Sequence, residues 1–185
     1  MNVSVQIKSG RDWVKRGMFA TMGKFGDVSK PLSDESFTAL IVGRHSPIEE
    51  YEIWVDAVVP ERVHTHVVRH KELGKYVATS RPDIAYGVED GVKMRPLSLR
   101  INAKRLLEVM ELRLCACSWN ETIELFKEIK RQVVALDSTL GNKLMPSCVW
   151  KGFCPERKDC GYTRSPRFAI ERDKLISWNT KREDK

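Results

Sequence analysis

With 185 residues and a mass of 21.3 kDa the chain has the size of one domain, and 42% hydrophobic with 31% charged residues excludes the disordered and collagen-like classes. It has no apolar run long enough to span a bilayer, and its start, MNVSVQIKSGRDWVKRG, lacks a signal-peptide core, so neither a membrane-spanning nor a secreted protein is expected. Lys plus Arg number 32 against 25 acids, and the resulting +7 charge and pI near 9.2 predict an anionic partner: a nucleotide, a phosphorylated cofactor or nucleic acid.

Residues 51–59, YEIWVDAVV, alternate apolar with polar side chains and predict a half-buried strand. Pro60 directly after it suits the first position of a helix, along which Val63, Val67 and Val68 recur at helical spacing until Gly74. On that helix His66 and His70 stand four apart, with Arg62, His66 and Arg69 close to one face. Ile101, Leu106, Met110 and Leu114 predict a second helix over 101–114 that ends near Arg113. Ser118 and Glu121 read as a capping box, opening a third helix over Ile123, Phe126, Ile129 and Val133 to about Leu136. After Met145, Pro, Gly and Cys interrupt every period and irregular structure is expected. From Arg167 the chain is highly charged, and a frayed end is expected over its last seven residues, NTKREDK. The organisation that follows is a single domain over 1–166, containing a cysteine-bearing segment at 145–161, and a charged tail over 167–185.

The positive charge is concentrated in two places. Arg62, Arg69, Lys71, Lys75 and Arg81 face one acid, Glu72; Lys93, Arg95, Arg100, Lys104, Arg105 and Arg113 face Glu108 and Glu111. Thr79, Ser80 and Arg81, held off the helix by Pro82, combine hydroxyls, free amides and a guanidinium, a set that suits a phosphate. An odd count of five cysteines in a chain able to build its own core predicts reduced thiols and a cytoplasmic location. Cys148, Cys154 and Cys160 leave a structural metal with one further ligand open, but paired CxxC knuckles are absent, unligated thiols are the preferred reading, and no metal is assigned.

The stretch RHKELGKYVATSR resembles the signature of the flavin-dependent thymidylate synthases: Arg-His-Arg, two variable residues, Ser, one variable, Asn, two variable, Ser, one variable, Arg. Arg69, His70 and Arg81 match it, while Lys71, Gly74, Tyr76 and Thr79 replace an arginine, a serine, an asparagine and a serine. The likeness runs back to about Gly43, with Glu50 where the family has histidine and His66 where it has glutamine. It continues in INAKRLLEVMELRL, where Asn102, Ala103 and Arg113 match a later helix, and in MPSCVWKGFCPERKDCG, similar to a cysteine-bearing tail of some members. Only 20 residues separate Arg81 from Asn102, fewer than in typical members.

The resemblance implies an α+β fold, a mostly antiparallel sheet with packed helices, assembled as a homotetramer with sites between subunits. It implies that Arg69, His70, Lys71 and Asn102 contact FAD, and that His66, Thr79, Ser80, Arg81, Arg95 and Arg113 hold dUMP, with Arg113 and Thr79 as the catalytic residues. The implied reaction is reductive methylation of dUMP to dTMP, with methylenetetrahydrofolate as carbon donor and NADPH as reductant of the flavin. Hydroxymethylation of the same nucleotide and a binding protein without turnover stay open beside it. The reading from a different class is a basic nucleic-acid-binding protein whose tail carries zinc.

Overall fold

A computed structural model describes residues 1–26, 28–70, 73–77, 88–89 and 91–180. Alternation of apolar and polar residues builds its sheet. Val3, Val5 and Ile7 on β1 (Asn2–Ser9) lie opposite Ala57, Val55 and Ile53 of β2 (Glu52–Pro60), which lie opposite Leu97, Leu99 and Ile101 of β5 (Val92–Asn102). Adding β3 (Gly74–Val77) gives the order β1-β2-β5-β3, antiparallel throughout, with the short β4 (Val88–Glu89) hairpinned onto β5. One face is buried under helices. The other carries Glu52, Trp54 and Asp56, with Trp54 stacked on Tyr76 at 5.1 Å between ring centroids.

The helices are α1 (Arg11–Thr21), α2 (Asp34–Val42), α3 (Glu61–Val68), α4 (Ala103–Arg113), α5 (Asn120–Leu136), α6 (Ser138–Gly141), α7 (Ser147–Lys151) and α8 (Pro166–Thr180). The stripe Leu106, Leu107 and Met110 of α4 and Phe126, Ile129 and Val133 of α5 close the core with Phe37, Tyr51 and the inner sheet face. Gln132 of α5 binds the backbone of edge strand β1 in both directions, donating to Val3 O at 2.7 Å and accepting from Val5 N at 2.9 Å. That covers an edge that would otherwise invite pairing with another chain.

Asp137, buried at the α5–α6 junction, joins four elements. Arg11 donates to both of its carboxylate oxygens at 2.8 and 2.6 Å, the Tyr51 hydroxyl donates at 3.2 Å, and the amides of Thr139 and Leu140 complete a helix cap. Burial, reinforced by this carboxylate, raises the Tyr51 phenol well above its ordinary range. Close by, a Cβ on Gly141 would lie 2.5 Å from the Cα and 2.6 Å from the N of Val134, backbone that cannot step aside. Gly141→Ala is therefore expected to cost about 1–3 kcal/mol, read as a lower urea midpoint at unchanged slope.

Several expectations are corrected here. The second helix begins at Ala103, not Ile101: Asn102 Oδ1 accepts from Arg105 N at 2.9 Å and caps it, leaving Ile101 as the last buried residue of β5. The capping box does not form, because Ser118 donates to Leu112 O at 2.9 Å to close the α4–α5 turn and Glu121 pairs with Arg62. The helix after Pro60 ends at Val68, and Gly74 instead opens β3, where a Cβ would meet Arg100 at 3.2 Å. The region after Met145 is more regular than its composition predicts. α7 and α8 pack Val149 and Leu175 with Met145 and Cys148 in a second small core, so α8 extends to Thr180 through the start of the segment expected to fray; 181–185 lie outside the described residues.

Candidate nucleotide site

The end of α3, with the residues that directly follow it, meets the last turn of α4, and what they bring together is a cation held by two imidazoles. Arg113 Nε donates to His70 Nε2 at 2.8 Å, and Arg113 Nη1 lies 2.6 Å from His66 Nε2. A guanidinium only donates, so both Nε2 atoms must be lone pairs. The proton of His66 therefore sits on Nδ1, which faces Thr122 Oγ1 at 3.1 Å. The Trp119 ring stands 5.9 Å from the His66 ring. Lys75 donates to Val68 O at 2.7 Å and His70 O at 2.6 Å, which fixes the chain end carrying His70. Lys75, part of the charge surplus in the sequence, thus serves as a helix C-terminal cap.

Among the described residues, neither Arg113 nor Arg69 pairs with a carboxylate, whereas most of their basic neighbours do. Arg62 pairs with Glu121, Arg95 with Glu61 at 2.7 Å, Arg100 with Glu52 at 2.5 Å, Lys104 with Glu49 and Arg105 with Glu108, both at 2.6 Å. Arg113 is only partly exposed, and burial lowers its guanidinium from the usual arginine value. A half-buried cation without a counterion is what an anion site needs before its ligand arrives.

His66 is held neutral below its ordinary 6.5 by burial and by the charges of Arg113 and Arg69. Protonating it would place a cation against Arg113 and remove the acceptor that holds it. The unfolded chain binds this proton at a higher pH than the folded one, so stability is full above the unfolded value and falls as pH drops through it. His64, lowered by burial and Arg95 against Glu61, adds in the same direction. Thermal denaturation from about pH 8 to about pH 5 should show this loss, with a shallower slope in His66→Gln.

Of the residues singled out in the sequence, His66, His70 and Arg113 are brought together, with exposed Arg69 beside them. Arg95 is bound to Glu61 in the first turn of α3, away from the end bearing the histidines. Asn102 caps the opposite end of α4, about 16 Å from Arg113 along the helix. Lys71, Thr79, Ser80 and Arg81 lie outside the described residues. Trp119 and Thr122 were missed by sequence reasoning, since nothing local marks a turn residue and a buried threonine as partners of a histidine 53 and 56 positions earlier. A cavity of about 640 Å³ begins at Leu114 and Cys115, just past Arg113, and runs between α5 and the C-terminal segment past Lys127 and Lys130 to Arg167; His66, His70 and Arg113 do not line it.

The fold is that of known nucleotide-modifying enzymes. The flavin-dependent thymidylate synthase ThyX from Helicobacter pylori, solved with FAD and dUMP, superposes with a TM-score of 0.63 over 78% of this chain and 100% of that one at 12% identity. The UMP/dUMP methylase PolB from Streptomyces cacaoi, solved with 5-Br dUMP, gives 0.59 over 82% and 96% at 13% identity. No family model and no curated protein sequence matches the chain.

Proposed function

We propose that this chain binds FAD and dUMP and transfers a one-carbon unit to the pyrimidine. The observation that carries this is Arg113, a half-buried guanidinium with two neutral imidazoles as its partners and no carboxylate partner among the described residues, in a fold of this kind. Two of its five N–H donors are engaged by His66 and His70, which leaves three for a ligand. Directed at the uracil carbonyl oxygens or the phosphate, they would stabilise the charge that builds when the ring carbon attacks a one-carbon donor. Thr79 would act beside it, and Ser80 and Arg81 would complete the phosphate contacts. Arg95, already engaged by Glu61, would have to exchange that partner to reach the nucleotide.

The exposed Arg69, without a counterion among the described residues and next to His70, fits the pyrophosphate of FAD, with Lys71 following in sequence. Bound and reduced, FAD supplies hydride. Asn102 would enter the same site from a second copy, in line with a homotetramer, which light scattering on the eluting particle would test. Reductive methylation with methylenetetrahydrofolate and NADPH is the finer form of the proposal. Extensive pairing of the basic residues with acids speaks against a continuous basic track for nucleic acid.

Adding FAD should give a yellow protein after gel filtration, and dUMP labelled with tritium on the reacting ring carbon should release label when folate donor and reductant are present. Mass analysis then separates methyl from hydroxymethyl product. A protein that takes up no flavin and releases no tritium would remove the enzymatic reading.

A further inference from the structure

All five cysteines of the chain are free thiols, and they come from three separate segments: Cys115 and Cys117 in the α4–α5 turn, Cys148 on α7, and Cys154 and Cys160 in the irregular stretch before α8. The fold gathers them at one end of the molecule. Cys117 lies within electrostatic reach of Cys115 and Cys160, and Cys148 within that of Cys115 and Cys154. Cys115, Cys148 and Cys160 line the same cavity. Two polar contacts tie the parts together: the Cys117 amide donates to Cys115 Sγ at 3.5 Å, and Cys117 Sγ donates to Lys158 O at 3.7 Å. An amide aimed at a sulfur is the second-shell partner that suits a metal-bound thiolate, which accepts more strongly than a thiol.

We propose that these thiols bind one thiophilic divalent cation, zinc by its chemistry, with Cys115, Cys148 and Cys160 as ligands and the fourth position taken by Cys117 or Cys154. Three late cysteines alone are one ligand short of the tetrahedral set that structural zinc requires. The α4–α5 turn supplies the missing sulfur from more than 30 residues upstream. Among the described residues no group of three or more His, Cys, Asp or Glu side chains is spaced to hold a metal ion as it stands. Closing at about 2.3 Å per sulfur therefore asks the thiols to move inward. The stretch from Gly152 to Gly161, largely exposed and without helix or strand, is free of the packing that would oppose this. On binding, each ligand thiol gives up its proton to solvent and no electron is transferred, so the site needs no oxidant. The ion would fasten the turn just beyond Arg113 to the C-terminal segment. The proposal is independent of the nucleotide reading.

The full-length protein, purified without chelator, should hold about one zinc per chain by elemental analysis. A mercurial that blocks thiols should release it to a colorimetric indicator, and a strong chelator should lower the melting temperature. Cobalt exchanged into the chelated protein should show the intense visible bands of tetrahedral thiolate coordination. Because a cysteine variant could fail to fold, the chelation and cobalt experiments use the unaltered chain. Cys115→Ser, Cys148→Ser and Cys160→Ser should each lose the metal, and one of Cys117→Ser and Cys154→Ser should keep it. Protein without zinc that also takes up neither zinc nor cobalt, or a folded Cys115→Ser variant that keeps a full equivalent, would overturn the proposal.

Discussion

Replacing Arg113 by alanine is expected to weaken dUMP binding by about 2–5 kcal/mol, the range for removing one partner of a buried charged contact. The melting temperature should hold, because the side chain removed is a half-buried cation with no carboxylate partner among the described residues. Its loss frees two imidazole lone pairs that water can satisfy. Arg113→Lys should recover little affinity, since an ammonium cannot replace a planar fork that contacts both histidines and still faces a ligand. Calorimetric titration beside thermal denaturation checks both halves. Unchanged dUMP affinity would move the nucleotide elsewhere, and a collapse in stability would make Arg113 a structural residue.

The second large effect is on folding. Asp137→Ala should destabilise the protein by about 3–5 kcal/mol, the cost of leaving a partly buried guanidinium without its counterion. Arg11, only 19% exposed at the side chain, would keep, among the described residues, the well-exposed Asp34 as its one anionic partner, while Tyr51 and the first amides of α6 would lose their acceptor. Asp137→Asn retains a capping oxygen and should fall between the two. Urea denaturation followed by circular dichroism measures the series. A loss below about 1 kcal/mol for the alanine variant would mean that the network breaks even against solvation.

Much of the fold is legible in the chain because it rests on short-range periodicity. The alternation in YEIWVDAVV, the position of Pro60 and the stripes of α4 and α5 are local steric and burial patterns, and the structure reproduces them within a few residues. β1 carries the same alternation in Val3, Val5 and Ile7. β5 was hidden because its last apolar residue, Ile101, also fits the helical stripe that follows, and only the Asn102 cap divides the two.

The candidate site was legible in its residue types and not in its geometry. Counting charges identifies two basic segments, but the chain does not say which arginines are already neutralised. That is decided by contacts such as Arg95 with Glu61 and Arg62 with Glu121, 34 and 59 positions apart. The sequence by itself determined the helical stripes, the basic surplus and the absence of a paired cysteine knuckle, because each depends on neighbours within a few positions. Only the tertiary structure decided that Arg113 stands between His66 and His70, that Asp137 receives Arg11 from 126 positions away, and that Cys115, Cys148 and Cys160 line one cavity. The physical reason is that charge neutralisation and ligand convergence depend on distance through space, which the core sets by packing sheet against helix.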